Sequence, residues 1–475
     1  MSSELDTPRG DSALEYRAGV QAPVPGLLLA AAPPGHSGPD RAAVSGGGTT
    51  LGRDREATWT IGDHRLSRLH TRFWLEDDAI HVADLGSTNG TFVDGCKLVA
   101  DARPILPGQV VRCGNCVLVA CADLGDLVPA GYAPNQTGLA GRFHAPGILS
   151  KLAEAAATGR HVLLAGESGS GKELAAHALH RLRAARLSHG GPLIEHNCAR
   201  ITGQDEATAT LFGVGAGVFS EVKPRPGLLE QAAGGVLHLD EIHELPVRAQ
   251  RSLLRFLEDG AFSRIGETTR RTLDLMVVCS TNLDQASPEA ERNIAFDLRA
   301  RMQEVSLPPL NKRRADIPAI LAHQLGEVAS RFHLDAGKLV GALRATALEA
   351  LCLLDYTDCN VREIILLCEA LVARIELEPT SPRQAFGRLL IERYPDNPVV
   401  RRLLAGDEYD EVPLTRPGRR RSRKPSRYQR LRQQIVTAYH QNDHNLSATT
   451  EQLKAQGTKV SRRWLSIWLD KWGER

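Results

Sequence analysis

The sequence predicts a multidomain protein with three kinds of fold in succession: an all-β sandwich module, an α/β domain with a helical lid, and an all-α C-terminal module. Short alternating strands run to about residue 122, strands alternate with helices from about 143 to 312, and apolar residues then recur at helical spacing. At 475 residues the chain is too long for a single core. We therefore expect several domains joined by linkers.

Shifts in composition set the expected boundaries. Residues 1–24 are rich in Pro, Gly and Ser without periodicity, which is typical of disorder. Strands of the first module are expected at 71–75, 79–83 and 110–120. The expected segments are the all-β module at 25–122, a linker at 123–142, the α/β core at 143–312, its lid at 313–378, a basic linker at 379–428 that starts with two short helical patterns, and the C-terminal module at 429–475.

Composition favours a water-soluble protein of the cytoplasm. The chain is 42% apolar and 24% charged, and it contains no apolar run long enough to cross a bilayer. Nine cysteines, an odd number scattered over the chain, argue against a disulfide framework. Cys113 and Cys116 have metal-like spacing, but no second ligand pair is close in sequence, so buried thiols are favoured over zinc.

Charge is distributed unevenly along the chain. The net charge is only +2, yet residues 416–475 carry 15 Lys plus Arg against 4 Asp plus Glu. Because neutralising phosphates supplies much of the free energy of binding to nucleic acids, this basic end predicts a DNA partner.

A glycine-rich stretch at 166–173 follows an apolar segment and precedes a helical pattern. Such a loop directs backbone N–H groups at one point, and glycines let the backbone close around phosphate oxygens. Gly166, Gly171 and Lys172 fit the spacing of a phosphate-binding loop, although Glu173 stands where a Ser or Thr would contact magnesium. The alternative is an ordinary glycine-rich turn. The candidate ATP contacts are Gly166, Glu167, Ser168, Gly169, Ser170, Gly171, Lys172 and Glu173.

Two further strands end in polar residues suited to the same chemistry. A short apolar strand runs into Asp240 and Glu241, of which the first could hold Mg²⁺ and the second could polarise an attacking water. An apolar stretch at 273–280 is followed by Asn282, whose amide could orient that water. Together with the loop, these residues predict ATP and Mg²⁺ as cofactors.

Three loop motifs of the β module recur in a specific order. They are Gly52-Arg53, Ser67-Arg68-Leu69-His70, and Gly86-Ser87-Thr88-Asn89-Gly90-Thr91. This set resembles a forkhead-associated (FHA) domain over nearly all of 25–122. The resemblance implies that Arg53 and Ser67 contact a phosphothreonine, with Arg68 and Thr88 beside them, that Asn89 holds the ligand backbone, and that His70 braces the loops. The alternative is a hairpin turn at Asn89-Gly90 beside a solvated Arg53.

The middle of the chain, roughly 140–375, resembles the AAA+ domain of sigma-54-dependent transcription activators. The resemblance rests on the loop at 166–173 with its Glu173, on Asp240-Glu241, and on the motifs Leu211-Phe212-Gly213, Leu307-Pro308-Pro309-Leu310 and Asn360-Val361-Arg362-Glu363. It implies that Lys172 holds the β- and γ-phosphates, Asp240 the magnesium and Glu241 the water, with Asn282 and Arg362 as sensors. It also implies an ATPase that works as a homo-oligomeric ring, to which a neighbour lends an arginine. Arg299 and Arg301 are both candidates for that arginine, and both could instead be solvated helix charges.

The sequence departs from this family at the loop that contacts sigma-54. Family members carry Gly-Ala-Phe-Thr-Gly-Ala, whereas residues 217–222 read Gly-Val-Phe-Ser-Glu-Val. Glu221 introduces a Cβ and a charge where a flexible glycine is expected, and both oppose insertion into a partner groove. We therefore expect contact with RNA polymerase sigma-54 to be lost or altered.

The C-terminal module reads as a helix-turn-helix. Leu431, Ile435 and Tyr439 mark one amphipathic helix, a second covers 448–454, and a third starts at Ser461. Arg462 and Arg463 near its N-terminus suit phosphates or guanine edges, so Ser461, Arg462 and Arg463 are the candidate DNA contacts. The three tryptophans of this helix are assigned to packing. The segment is similar to the DNA-binding end of the same family; the alternative is a basic tail that only solubilises the chain.

These observations favour an ATP-binding transcription regulator with a phosphothreonine-sensing input and a DNA-binding output. The sequence is also compatible with two alternatives. One is a non-catalytic signalling scaffold in which ATP only sets the oligomeric state, and the other is an AAA+ protein that remodels a different partner. A measurement of ATP turnover distinguishes the regulator from the scaffold. Promoter footprinting distinguishes the regulator from the remodeller of a different partner.

Overall fold

A computed structural model describes residues 22–99, 102–127, 137–187, 190–216, 224–356, 359–377, 381–404, 427–442 and 444–456, together with Arg462, Leu465, Ser466 and Leu469. Outside these residues lie most of the predicted disordered segment 1–24, the altered contact loop, residues 405–426 of the predicted basic linker, Ser461, Arg463 and the C-terminal tryptophans. No helix within the described ranges is long and apolar enough to span a membrane.

The N-terminal module is a β-sandwich. One sheet has the strand order β2-β1-β11-β10-β7-β8 and the other has β4-β3-β5-β6-β9. Leu51, Phe73 and Val82 are fully buried between the two sheets. The strands are β1 (Gly26–Ala31), β2 (Arg41–Ala43), β3 (Thr49–Gly52), β4 (Trp59–Thr60), β5 (Thr71–Glu76), β6 (Ala79–Asp84), β7 (Thr91–Val93), β8 (Cys96–Lys97), β9 (Ala102–Ile105), β10 (Val110–Cys113) and β11 (Cys116–Cys121).

The single strand predicted at 110–120 is wrong. The segment is a hairpin in which β10 pairs with β11 and Cys113 faces Cys116. Gly114 adopts φ 56° at the turn, a left-handed conformation that favours glycine. The turn at Gly114-Asn115 thus divides the apolar segment into two strands. Both cysteines are free and buried in the sandwich.

The α/β core is built on a parallel sheet with the strand order β13-β16-β19-β12-β20. Its strands are β12 (Val162–Ala165), β13 (Leu193–Asn197), β16 (Val236–Asp240), β19 (Met276–Thr281) and β20 (Gln303–Ser306). Two small antiparallel pairs, β14 (Gly213–Val214) with β15 (Arg225–Pro226) and β17 (Ala261–Phe262) with β18 (Arg271–Thr272), accompany it. Because β16, β19 and β12 are neighbours, their carboxyl ends meet at one edge.

Helices surround this sheet. They are α1 (Ala145–Thr158), α2 (Lys172–Arg186), α3 (Gln204–Phe212), α4 (Leu228–Gln231), α5 (Val247–Asp259), α6 (Pro288–Asn293) and α7 (Phe296–Arg301). Two apolar clusters lie between helices and sheet; Leu237 and Val277 belong to one, Leu164 and Val278 to the other. The alternating strands and helices therefore form the layered fold that the sequence predicts.

The lid is helical and larger than the sequence predicts. Its helices are α8 (Ile317–Arg331), α9 (Ala336–Gly341), α10 (Ala345–Leu353), α11 (Val361–Leu377), α12 (Pro382–Arg393) and α13 (Pro398–Leu404). The last two fall in the segment predicted as a linker from residue 379. Phe386 and Leu390 of α12 and Leu404 of α13 are buried in the same apolar core as Leu367, so α12 and α13 are part of the lid rather than the linker.

The outer face of one sandwich sheet packs on the lid. Leu28, Ala30, Val117 and Val119 are buried in the same cluster as the lid helices. Their neighbours Leu27, Leu29 and Leu118 point into the sandwich core. Strands β1 and β11 are therefore covered on both faces, which explains why five consecutive residues of each are buried.

The C-terminal helices form a small separate core. They are α14 (Arg427–Gln441) and α15 (Leu446–Ala455), and the Asn445 side chain accepts hydrogen bonds from the Ser447 and Ala448 N–H groups at the start of α15. Ile435 and Tyr439 of α14 pack with Leu453, Leu465 and Leu469. The described part of the chain thus contains the first two helices predicted for this module.

Candidate nucleotide and phosphopeptide sites

The glycine-rich loop joins β12 to α2 at the sheet edge. Gly169 has φ 74°, and a Cβ there would lie 2.1 Å from the backbone oxygen of Cys359 in the lid. Gly171 has φ 107° immediately before α2. Both positions therefore require glycine, one for close approach of the lid and the other for its backbone conformation. The N-terminal N–H groups of α2 consequently open onto the loop.

Lys172 is buried within this loop. Its Nζ donates to Gly166 O at 2.7 Å and to Glu167 O at 3.3 Å. Burial lowers the pKa of the Lys172 ammonium, while the Glu241 and Asp240 carboxylates act in the opposite direction. The structure thus brings the lysine and both predicted carboxylates to one site.

The lid contacts the phosphate loop through Asn360, a residue to which the sequence assigns no role. Its Nδ2 donates to Ser168 O at 3.1 Å and to the Glu167 carboxylate at 3.0 Å. Its Oδ1 accepts from the Leu310 N–H at 2.9 Å. Asn360 is fully buried and has φ 46°, a conformation that Asn tolerates better than most residues. This side chain therefore links core, loop and lid.

Two arginines extend that contact. Arg362, the predicted lid sensor, lies near Ser168, with 3.3 Å between its guanidinium and the Ser168 hydroxyl. Arg313 is almost completely buried and donates to Ser170 O at 2.8 Å. Burial lowers the pKa of Arg313, and Asp316 opposes that shift. Arg362 is thus placed beside the loop, and Arg313 braces it from the start of the lid.

Asp240 ends β16 beside two neighbouring strands. One carboxylate oxygen accepts from the Ser280 hydroxyl at 2.6 Å, and the other accepts from Asn197 Nδ2 at 3.1 Å. Asn197 ends β13, which pairs with β16. The aspartate is therefore fixed at the sheet edge by polar residues from both adjacent strands, and the sequence reasoning identifies neither partner.

Glu241 follows directly with φ 54°, a strained conformation for a non-glycine residue. Its Oε2 is buried without a hydrogen bond among the described residues and lies 3.4 Å from His243 Nδ1. His243 Nδ1 also lies 3.1 Å from the Thr281 hydroxyl. Asn282, the predicted first sensor, is exposed just after β19. Glu241 is thus held beside an imidazole at the mouth of the sheet.

The remaining predicted residues lie at the margin of this site. Glu173 is exposed in the first turn of α2. Arg299 donates to Gln285 O at 2.9 Å, and Arg301 lies 3.0 Å from the Glu258 carboxylate. Both arginines are on α7, and their contacts here are made within one chain. The choice between them as the arginine lent to a neighbour stays a prediction.

The donor set suits a nucleotide with a divalent cation. A lysine and a glycine cradle match a polyphosphate, and carboxylate oxygen is the ligand type that Mg²⁺ prefers. Gly166 adds to the cradle, since a Cβ there would approach Leu307 O to 2.7 Å. Lys172 would hold the phosphates and Asp240 the metal, which would neutralise phosphate charge.

The three loop motifs of the sandwich meet around one cavity of about 570 Å³. The Thr88 N–H donates to the Ser67 hydroxyl at 3.1 Å, and Asn89 Nδ2 donates to Arg65 O at 2.7 Å. The predicted residues that line the cavity are Arg53, Ser67, Arg68, Thr88 and Asn89. The structure therefore brings together every residue of the predicted phosphothreonine set.

The buried His70 side chain joins the loop that contains Ser67 to the loop that contains Gly90. Its Nδ1 accepts from the Ser67 N–H at 3.0 Å, and its Nε2 lies 3.2 Å from Gly90 O. Accepting at Nδ1 leaves the proton on Nε2, which donates to that carbonyl. Burial lowers the pKa of His70, which favours this neutral form. His70 is a brace rather than a ligand contact.

In the C-terminal module, Arg462 is helical and exposed. It is the one predicted DNA contact that falls within the described residues.

Comparison with known proteins matches both domains. The sigma-54 interaction domain matches residues 144–308, and the FHA domain matches residues 49–114. The fold and site thus define a protein in which an FHA sandwich is joined to an AAA+ α/β domain. The α/β domain is thus similar to the sigma-54 interaction domain of transcription regulators, and the sandwich is similar to FHA domains.

Individual relatives are similar over different lengths. The Nif-specific regulatory protein of Azorhizobium caulinodans is 32% identical over 334 residues, which are 69% of this chain and 52% of the relative. The DNA-binding transcriptional regulator NtrC of Salmonella typhimurium is 36% identical over 240 residues, 50% of this chain and 49% of the relative. The chain therefore spans about half the length of these curated relatives. The crystal structure of NtrX from Brucella abortus in complex with ADP is 26% identical, with a TM-score of 0.42, over 71% of this chain and 70% of that one.

Proposed function

We propose that this protein is an ATP-dependent transcription regulator of the cytoplasm whose FHA domain senses a phosphothreonine protein and whose C-terminal module binds DNA. The observation that carries the proposal is the convergence of Lys172, Asp240 and Glu241 at one sheet edge, in a chain that also presents the complete FHA pocket. Similarity to sigma-54-dependent regulators supports ATP binding and a DNA-binding output. ATP turnover separates this proposal from the scaffold, and promoter footprinting separates it from the remodeller of another partner.

Each central residue has a defined role in this proposal. Lys172 binds the β- and γ-phosphates, Asp240 holds Mg²⁺, and Glu241 accepts a proton from the attacking water. Asn282 and Arg362 sense the nucleotide. Hydrolysis requires a ring of identical subunits, to which α7 contributes Arg299 or Arg301. Asn197 and Ser280 keep the Asp240 carboxylate oriented through the hydrogen bonds described above.

The phosphothreonine role is tested by replacing Arg53, an exposed guanidinium in the pocket. Arg53→Ala should weaken binding of a phosphothreonine peptide about 10- to 100-fold, because a hydrogen bond to a charged group contributes about 1.5–3 kcal/mol. Arg55→Ala, an exposed arginine of the same loop outside the cavity lining, serves as the control. Calorimetric titration measures the affinity of each variant for the phosphorylated peptide and for its unphosphorylated counterpart. Equal affinity of the wild type for the two peptides would refute the role.

We further propose that the chain binds promoter DNA but no longer drives sigma-54 polymerase. The support is Glu221, which places a carboxylate in the contact loop where desolvation is costly. Footprinting on a promoter fragment should give protection that weakens steeply with added salt. With sigma-54 polymerase and ATP, the wild type should give no open complex, and Glu221→Gly should restore at least part of it. Open-complex formation by the wild type would contradict this proposal.

A further inference from the structure

A second cavity adjoins the phosphothreonine pocket where the sandwich meets the lid. Its volume is about 220 Å³. His64 and Arg65 line both cavities, so the two adjoin at that loop. Arg112 and the β10–β11 turn contribute the rest of the sandwich side, and Arg344, Thr346 and Arg383 contribute the lid side. The cleft therefore belongs to two domains at once.

The lining is suited to an anion. Its described residues include four guanidinium groups, an imidazole and a hydroxyl. Guanidinium groups bind phosphoryl and carboxylate groups through paired, charge-assisted hydrogen bonds. Arg112 is held in place, because its Nε donates to Glu349 at 2.6 Å and its guanidinium carbon lies 3.8 Å from the centre of the Phe92 ring.

Hydrogen bonds to Asp63 hold together the sandwich wall of the cleft. The Asp63 carboxylate accepts from the Asn115 N–H at 2.6 Å, from Asn115 Nδ2 at 2.9 Å and from the Arg65 N–H at 3.0 Å. These bonds fix the loop that carries His64 and Arg65 against the β10–β11 turn. The backbone that carries the His64 and Arg65 side chains at the cleft is therefore held in place.

We propose that the cleft binds a second anionic side chain, phosphoryl or carboxylate, of the same peptide whose phosphothreonine occupies the FHA pocket. The proposal rests on the phosphothreonine role proposed above and extends it. An extended peptide that leaves the pocket along His64 and Arg65 would meet the cleft at the same two residues. A suitable partner would thus contact the sandwich and the lid together.

The test uses the full chain and labelled phosphothreonine peptides in which Ala, Glu or phosphoserine is placed at each flanking position in turn. Fluorescence anisotropy should reveal a position where Glu and phosphoserine bind about 10-fold more tightly than Ala, which is the effect expected of one charge-assisted hydrogen bond. Arg344→Ala and Arg383→Ala, made separately, should each reduce this gain and leave affinity for the Ala peptide unchanged. That unchanged affinity also verifies folding of the sandwich, and hydrogen exchange of the β1 and β11 amides verifies that the lid still covers it. Arg331→Ala, an exposed lid arginine outside the cleft lining, should keep the full gain.

The outcomes separate this proposal from the phosphothreonine role itself. A preference for phosphothreonine without any gain from a second charge overturns the cleft proposal alone. A gain that survives both lid variants also overturns it, since the sandwich then supplies the site by itself. Loss of all phosphothreonine preference overturns both. A larger gain for phosphoserine than for Glu identifies a doubly phosphorylated partner, and equal gains identify an acidic one; both support the cleft.

Discussion

Replacing Lys172 by alanine should weaken ATP binding about 100-fold, because the substitution removes a charge-assisted contact to the phosphates that contributes about 1.5–3 kcal/mol. Lys172 is the buried cation of a site that also contains Asp240 and Glu241. Without its charge, two carboxylates would face a polyphosphate with less positive charge to offset them. Isothermal calorimetry with ATP and Mg²⁺ measures the change.

Two matched variants make that experiment specific. Lys151→Ala removes an exposed lysine of α1 and should leave ATP affinity unchanged. Glu241→Gln should retain ATP affinity but slow turnover by about 10²–10⁴-fold, the range expected when a general base is lost. An affinity of Lys172→Ala within twofold of the wild type would mean that the nucleotide binds elsewhere.

The sequence predicts the parts of the nucleotide site that are local. The loop at 166–173 and the pair Asp240-Glu241 each lie within a few residues of a strand end, so periodicity and spacing are sufficient to place them. Asn197 also ends a strand and Asn360 belongs to a motif, but neither pattern predicts which residue the side chain contacts. Asn197 reaches Asp240 only because β13 pairs with β16, and Asn360 reaches Ser168 across 192 positions of sequence. Strand order and lid folding, rather than local pattern, create these contacts.

Docking of the sandwich on the lid does have a signal in the sequence. In a sheet with one solvent-exposed face, each strand alternates between apolar and polar residues. Residues 26–30 and 116–120 are instead buried without interruption, and their composition is apolar throughout. Such runs indicate strands that are covered on both faces. They do not indicate which element of the chain covers them. The helices that cover them begin about 200 residues later, at Ile317.

Glu349→Ala should be the most destabilising single substitution at that boundary. Glu349 is fully buried on α10, where Oε2 accepts from Arg112 Nε at 2.6 Å and Oε1 accepts from the Gly95 N–H at 3.0 Å. Burial raises the pKa of this carboxyl, while Arg112 and the Gly95 N–H lower it. Removing the side chain leaves the Arg112 guanidinium, whose side chain is 11% exposed, without its carboxylate. Breaking a buried pair in this way costs about 3–5 kcal/mol.

Hydrogen exchange of the full chain measures the expected effect. Amides of β1, β10 and β11 should exchange faster in Glu349→Ala, because the lid that covers them is held less firmly. Glu327→Ala, an exposed glutamate on α8, is the matched control and should leave exchange unchanged. If these amides exchanged at the same rate in Glu349→Ala as in the wild type, the sandwich and the lid would not dock in solution.

A double variant separates the charge from the packing. If the cost comes from an unpaired guanidinium, Arg112→Met combined with Glu349→Leu should recover most of the lost protection, since well-packed apolar residues often replace a buried ion pair without penalty. The same double variant should reduce binding of a second anionic peptide side chain, because Arg112 lines the cleft. Recovered docking together with weakened cleft binding is the combination expected of a guanidinium that serves both the interface and the ligand.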